Sequence, residues 1–221
     1  GTESFGISAT NFNSASDLTI TATGTVTGTE AGLFARNFGT GALRITTIDV
    51  DGTYSEKLSS AANGIEAEAK GSSLSITSSG TVTGTKAGIV ARNLGTGAAT
   101  VSAVNATGSV YEGIYALTSF SGTDLTVTAT GTVSGATHGI EAHNDGTGGV
   151  TVNANNVTGT SEAGIYGRAA NAGASITVTG SVSSDRDGIA LKAVGPNTIT
   201  ITGTGSVSGG DGAIDTTFGT L

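Results

Sequence analysis

A glycine followed by an aliphatic residue recurs along the whole chain, and an internal repeat of this kind constrains the fold before any other feature does. The starts are Gly6-Ile7, Gly32-Leu33, Gly64-Ile65, Gly88-Ile89, Gly113-Ile114, Gly139-Ile140, Gly164-Ile165, Gly188-Ile189 and Gly212-Ala213, at intervals of 26, 32, 24, 25, 26, 25, 24 and 24 residues. The one long interval carries an insertion around Tyr54 to Ala62, which reads as a loop protruding from one corner. Within each repeat lie three short segments of period-two alternation, as in Gly64-Ile-Glu-Ala-Glu68, Leu74-Ser-Ile-Thr77 and Gly80-Thr-Val-Thr-Gly84. Alternation of this kind marks strands with one buried face, and the Gly-rich junctions between them are turn chemistry. No window of ten residues has helical periodicity, so helices cannot join the strands.

Three strands and three turns in about 25 residues make one coil of a solenoid in which each strand stacks on its equivalent in the next coil. The expected fold is therefore all-β, a three-faced parallel β-helix of eight to nine coils, in one unit over residues 1–221 with the 54–62 loop as an insertion. Ile65 and Ala67, Leu74 and Ile76, and Val82 would fill the tube, with their equivalents above and below.

Composition removes several function classes. The chain has no Cys, Met or Trp, which excludes a disulfide scaffold, a thiol enzyme and Cys-ligated metal. It carries 37 Gly but only 1 Pro and no three-residue period, so it is not collagen-like. With 17 Asp and Glu against 9 Lys and Arg it lacks the cation excess that nucleic acid or an anionic membrane requires, and no apolar run is long enough to span a bilayer. The N-terminal Gly1-Thr-Glu-Ser-Phe5 has neither the basic nor the apolar region of a signal peptide, which a mature exported protein has lost.

Units such as Gly80-Thr-Val-Thr-Gly-Thr-Lys-Ala-Gly-Ile-Val-Ala-Arg-Asn-Leu-Gly-Thr-Gly97, repeated over essentially all 221 residues, resemble the passenger region of bacterial autotransporters of the type V secretion route. The resemblance implies a right-handed parallel β-helix, secreted or displayed on the bacterial surface, with a signal peptide and a translocator barrel elsewhere in the precursor. It implies roles in adhesion, aggregation, toxicity or proteolysis, or service as a stalk. Both ends enter or leave the repeat without a cap, so a segment of a longer solenoid is expected.

The first strand offers two outward columns. The residue after the aliphatic reads Ser8, Phe34, Glu66, Val90, Tyr115, Glu141, Tyr166, Ala190; two places further on it reads Thr10, Arg36, Glu68, Arg92, Leu117, His143, Arg168, Lys192. Aromatics beside cations suit protein or carbohydrate contact, so Phe34, Arg36, Arg92, Tyr115, His143, Tyr166, Arg168 and Lys192 are the candidate binding residues. The competing reading is a solvated sheet face with cross-strand Arg–Glu pairs.

Other patterns carry weaker chemistry. Outward Thr and Ser pairs on the second strand (Thr19 and Thr21, Ser75 and Thr77, Thr100 and Ser102, Thr126 and Thr128, Ser175 and Thr177, Thr200 and Thr202) resemble an ice-binding array, interrupted by Arg44 and Asn153, though strand propensity also explains them. Asn11, Asn37, Asn93 and Asn144 recur at one turn and are expected to satisfy corner backbone, with Phe12, Phe38, Leu94 and Phe120 packed beside them.

A polysaccharide-active enzyme, the alternative to an adhesive scaffold, would need carboxylates from adjacent coils within about 5–10 Å. Asp185-Arg186-Asp187 and Asp211 to Asp215 come nearest, the latter within a turn that resembles a calcium-binding one but is not repeated. His138 and His143 have no evident third ligand and are expected to face solvent. No catalytic group, metal or cofactor is assigned, and the expected partners are a host-cell protein or glycan, or a second rod.

Overall fold

The computed structural model describes residues 4–13, 15–53 and 62–216. Among these, every strand pairing is parallel and no helix occurs, so the chain is a β-solenoid of about eight turns. The first sheet stacks nine strands in chain order: β1 (Ile7–Asn11), β4 (Ala31–Asn37), β7 (Asn63–Ala69), β9 (Ile89–Asn93), β11 (Ile114–Thr118), β13 (Ile140–Asn144), β15 (Ile165–Ala169), β18 (Asp187–Ala193) and β21 (Gly212–Asp215). At about 4.8 Å per parallel strand this is a rod about 40 Å long.

The second sheet holds the remaining twelve strands and bends through two faces. Its central members run through both: β8 (Leu74–Gly84), β10 (Ala99–Gly108), β12 (Leu125–Gly135) and β14 (Val150–Gly159). Toward the ends the two faces are separate strands, β2 (Leu18–Thr21), β5 (Leu43–Thr47), β16 (Ala174–Val178) and β19 (Thr198–Ile201) on one, β3 (Val26–Gly28), β6 (Val50–Gly52), β17 (Ser181–Ser184) and β20 (Ser206–Gly209) on the other. The three short strands expected per coil thus fuse into two in the middle of the rod. A register shift between Ala103 and Asn105, and another between Ala129 and Thr132, mark the bend.

Strict columns of aliphatic side chains fill the tube. Ile7, Leu33, Ile65, Ile89, Ile114, Ile140, Ile165, Ile189 and Ile214 pair in sequence on the first sheet. Ile65, Ala67, Leu74, Ile76 and Val82 are all buried, as their alternation dictates. The last coil differs from the sequence reading by one place: Ile214 continues the column, so Ala213 and not Gly212 stands at the repeat-glycine position.

The repeat glycine is required by close approach. A Cβ on Gly113 would lie 2.5 Å from Cγ1 of Val133 and 2.8 Å from the carbonyl oxygen of Gly139 in the next coil. A second glycine column, which the sequence reading did not single out, closes the third face, where a Cβ on Gly135 would lie 1.9 Å from the carbonyl oxygen of His138. Backbone crowding at this corner brings the end of one strand against the start of the first-sheet strand that follows, and so fixes where the side chains flanking the corner emerge.

The recurrent Asn residues satisfy the opposite corner. Asn144 is fully buried; its Nδ2 donates to the carbonyls of Thr123, Gly148 and Gly149, and its Oδ1 accepts from the amide of Gly146. Asn37 and Asn93 repeat the arrangement. Phe12 and Phe38 stack with centroids 6.4 Å apart, but Phe120 is 80% exposed and stands one place beyond the column position, which follows Thr118 and is held by Ser119, so it does not pack there as expected.

The Thr columns also hold, except in the last coil, where Thr198 and Thr200 rather than Thr200 and Thr202 continue them. The 54–62 insertion, apart from Ala62, lies outside the described residues.

Candidate functional site

The register of the first sheet assembles both outward columns without a slip: Ser8, Phe34, Glu66, Val90, Tyr115, Glu141, Tyr166 and Ala190 are successive neighbours, as are Thr10, Arg36, Glu68, Arg92, Leu117, His143, Arg168 and Lys192. These side chains point away from the core, yet most are half-buried, because coils this close shield one another. Val90 is 5% exposed, so it is covered and contributes little free surface.

Five of the eight candidate residues form a continuous stack along the rod. Arg92 lies over the Tyr115 ring at 5.6 Å, Tyr115 meets His143 edge-on at 6.2 Å, His143 meets Tyr166 at 5.1 Å, and Lys192 covers Tyr166 at 5.9 Å. Phe34 and Arg36 form a separate group near the other end: the guanidinium sits 4.5 Å over the ring and reaches Glu66 at 3.7 Å. Arg168 is ion-paired to Asp145. Glu68 pairs with Lys70 at 3.6 Å instead of with the arginines on either side of it in the column.

Two grooves open along the edge of this sheet. One, of about 310 Å³, is lined by Glu66, Lys86, Ala87, Arg92, Tyr111, Glu112 and Tyr115 among others. The other, of about 190 Å³, is lined by His138, Ala163, Tyr166, Arg186 and Lys192 among others. A third, of about 360 Å³, lies on the second sheet between Thr128, Asn153 and Thr177, where Asn153 interrupts the Thr array.

Between the first two grooves sits a cluster that the sequence reading passed over. Glu141 on β13 lies between both histidines, with Oε2 3.3 Å from Nδ1 of His138 and Oε1 3.1 Å from Nε2 of His143. The imidazoles are therefore not solvent-facing as expected: their side chains are only 18% and 20% exposed, packed against Tyr166 at 5.5 and 5.1 Å. Glu112, from the preceding coil, completes the group; one ligand-type atom each of Glu112, His138 and Glu141 lie within 4.8 Å of one another.

Burial opposes the Glu141 charge, but the close polar contact and attraction of both histidines outweigh it and hold the carboxyl at about 2. Burial, reinforced by the Glu141 charge, pushes Glu112 the other way. Burial also raises the Tyr115 and Tyr166 phenols.

The signal that could have found Glu112 and His138 is positional. Each immediately precedes a repeat glycine, in the series Asn63, Ala87, Glu112, His138, Ala163, Asp187. The acidic turns that come nearest to a carboxylate cluster in the sequence do meet, but through a cation: Arg186 pairs with Glu162 and lies 3.6 Å from Asp211.

Comparison of the chain with protein-family models, with curated proteins and with solved structures gives no match.

Proposed function

We propose that the chain is a rigid rod, part of an exported bacterial surface protein of the autotransporter kind, that adheres through the outer face of its first sheet. The partner is a host-cell protein or glycan, or a second rod, and binding requires no reaction. The observation that carries this reading is the stack Arg92, Tyr115, His143, Tyr166, Lys192 beside two grooves on one sheet. Rings and cations that already hold one another lose little rotational freedom when a partner docks, which is what an adhesive surface needs.

The test is binding of the purified chain to a panel of host cells and glycans beside a Phe34→Ala, Tyr115→Ala, Tyr166→Ala variant that retains its β-sheet circular dichroism. Loss of binding in the folded variant is the expected result. Equal binding by both would move the contact to another face, and surface proteolysis of the source cells that spares the protein would remove the displayed location.

A second reading, a polysaccharide-active enzyme, is favoured by one observation: Glu112 and Glu141 come from adjacent coils, with ligand-type oxygens within 4.8 Å, and are driven toward opposite protonation states. That pairing suits an acid and a charged base or nucleophile. New reducing ends released from acidic or neutral polysaccharides, and their loss in Glu112→Gln, would establish it in place of the adhesive one.

A further inference from the structure

The corner that precedes each first-sheet strand places one side chain per coil in a column, and the column is chemically uneven. It runs Asn63, Ala87, Glu112, His138, Ala163, Asp187. Donor groups occupy two successive coils, and an alanine stands on each side of the pair. The main chain there is fixed, since the carbonyls of Glu112 and His138 accept from the amides of Gly88 and Gly113 at 3.1 and 3.2 Å. The small neighbours leave the space that becomes the two grooves, so the pair is reached from both directions along the rod.

Glu141 brings a third donor to the same point from the sheet itself. We propose that Glu112, His138 and Glu141 bind a divalent first-row transition-metal ion, with zinc as the probe, on the face between the two grooves; this goes beyond the adhesive reading and stands independently of it. One imidazole and two carboxylates suit such an ion, and three protein ligands leave a position open to water or to a bound partner. The donors already lie within 4.8 Å of one another, near the spacing that bonds of about 2.0–2.2 Å to one ion require.

A second observation points the same way. Nδ1 of His138 and Nε2 of His143 are buried without a well-directed hydrogen bond, although each stands near a Glu141 oxygen. A ring nitrogen and a carboxylate at that distance are held together by a shared proton or by a metal cation that takes its place. His143, holding the other oxygen of Glu141, orients the ligand in the way that outer partners do in metal sites.

The test uses the tag-free 221-residue chain after chelator treatment, titrated with zinc chloride by calorimetry and with cobalt(II) by visible absorption. One ion per chain is expected, with binding weakened at least about tenfold in Glu112→Gln and in His138→Ala, and with the cobalt absorption lost in the latter. The isosteric Glu112→Gln keeps the volume of the corner, and circular dichroism confirms that each variant is folded. Absence of saturable zinc binding overturns the proposal. So does an equal loss in Glu162→Gln, on the neighbouring Arg186 pair, which would show that surface carboxylates hold the ion.

Discussion

At the residue scale, two kinds of position set what the chain tolerates. The repeat glycines are closed to any side chain: Gly113→Ala would place a methyl 2.5 Å from Val133 and should destabilise by about 1–3 kcal/mol. Gly24 has open space around the same atom, so Gly24→Ala should be neutral or stabilise by up to about 1 kcal/mol; urea melts of the two variants check both expectations. Glu141 gives a pH signature. Its carboxyl is held at about 2, below its ordinary 4.5, so the stability it contributes is present above pH 4.5 and lost as pH falls toward 2. Glu112 is shifted up and acts in the opposite sense, stabilising at low pH and losing that contribution as pH rises through its folded value. The gap in melting temperature between the metal-free chain and its Glu141→Gln variant should therefore narrow on acidification from pH 4.5 to 2. A gap that stays constant over that range would show that the histidines do not hold the carboxylate as described.

At the scale of the element, a coil is stable only through its neighbours, and one exchange between coils shows how closely they are fitted. The inward column of the first sheet carries alanine in most coils but Gly167 followed by Leu191, whose Cδ1 would be 2.9 Å from a Cβ on Gly167. The leucine fills what the glycine vacates. Leu191→Ala should cost about 2–5 kcal/mol, and adding Gly167→Ala should recover part of the loss; a double-mutant cycle with no coupling would contradict the fit. This is also the scale at which the sequence was most legible. Period-two alternation placed Ile65, Leu74 and Val82 inside, and the spacing of the repeat gave the neighbour of each outward residue from Ser8 to Lys192. The fusion of two faces into β8, β10, β12 and β14 was not legible, because a bend within a continuous strand leaves no turn residue to mark it. Nor was the Glu112–His138–Glu141 cluster, since it joins a corner position of two coils to a strand position, and a search along single columns separates the three.

At the scale of the whole molecule, the rod is a stack of nearest-neighbour interfaces, so its stability is distributed along its length. The outer coils are more exposed: β19 and β21 contain no buried residue, whereas β11 and β13 bury every second one. Amide exchange of this chain should therefore be fastest in β19 to β21 and slowest around β11, grading between them; uniform protection would mean a single cooperative unit. The corner side chains carry a further consequence. Asp17, Asp49, Asp124 and Asn105 each accept from a backbone amide in the following coil, at Ala42, Thr81, Gly149 and Thr132. The grammar of the chain is thus written between units as well as within them. A copying error that removes or duplicates one whole unit leaves every such bond to be remade with the next, while the gain of a single residue throws a face out of step unless it falls where the register already shifts. Length in such a gene can drift by whole coils, and a lineage can lengthen or shorten its rod without inventing a new fold.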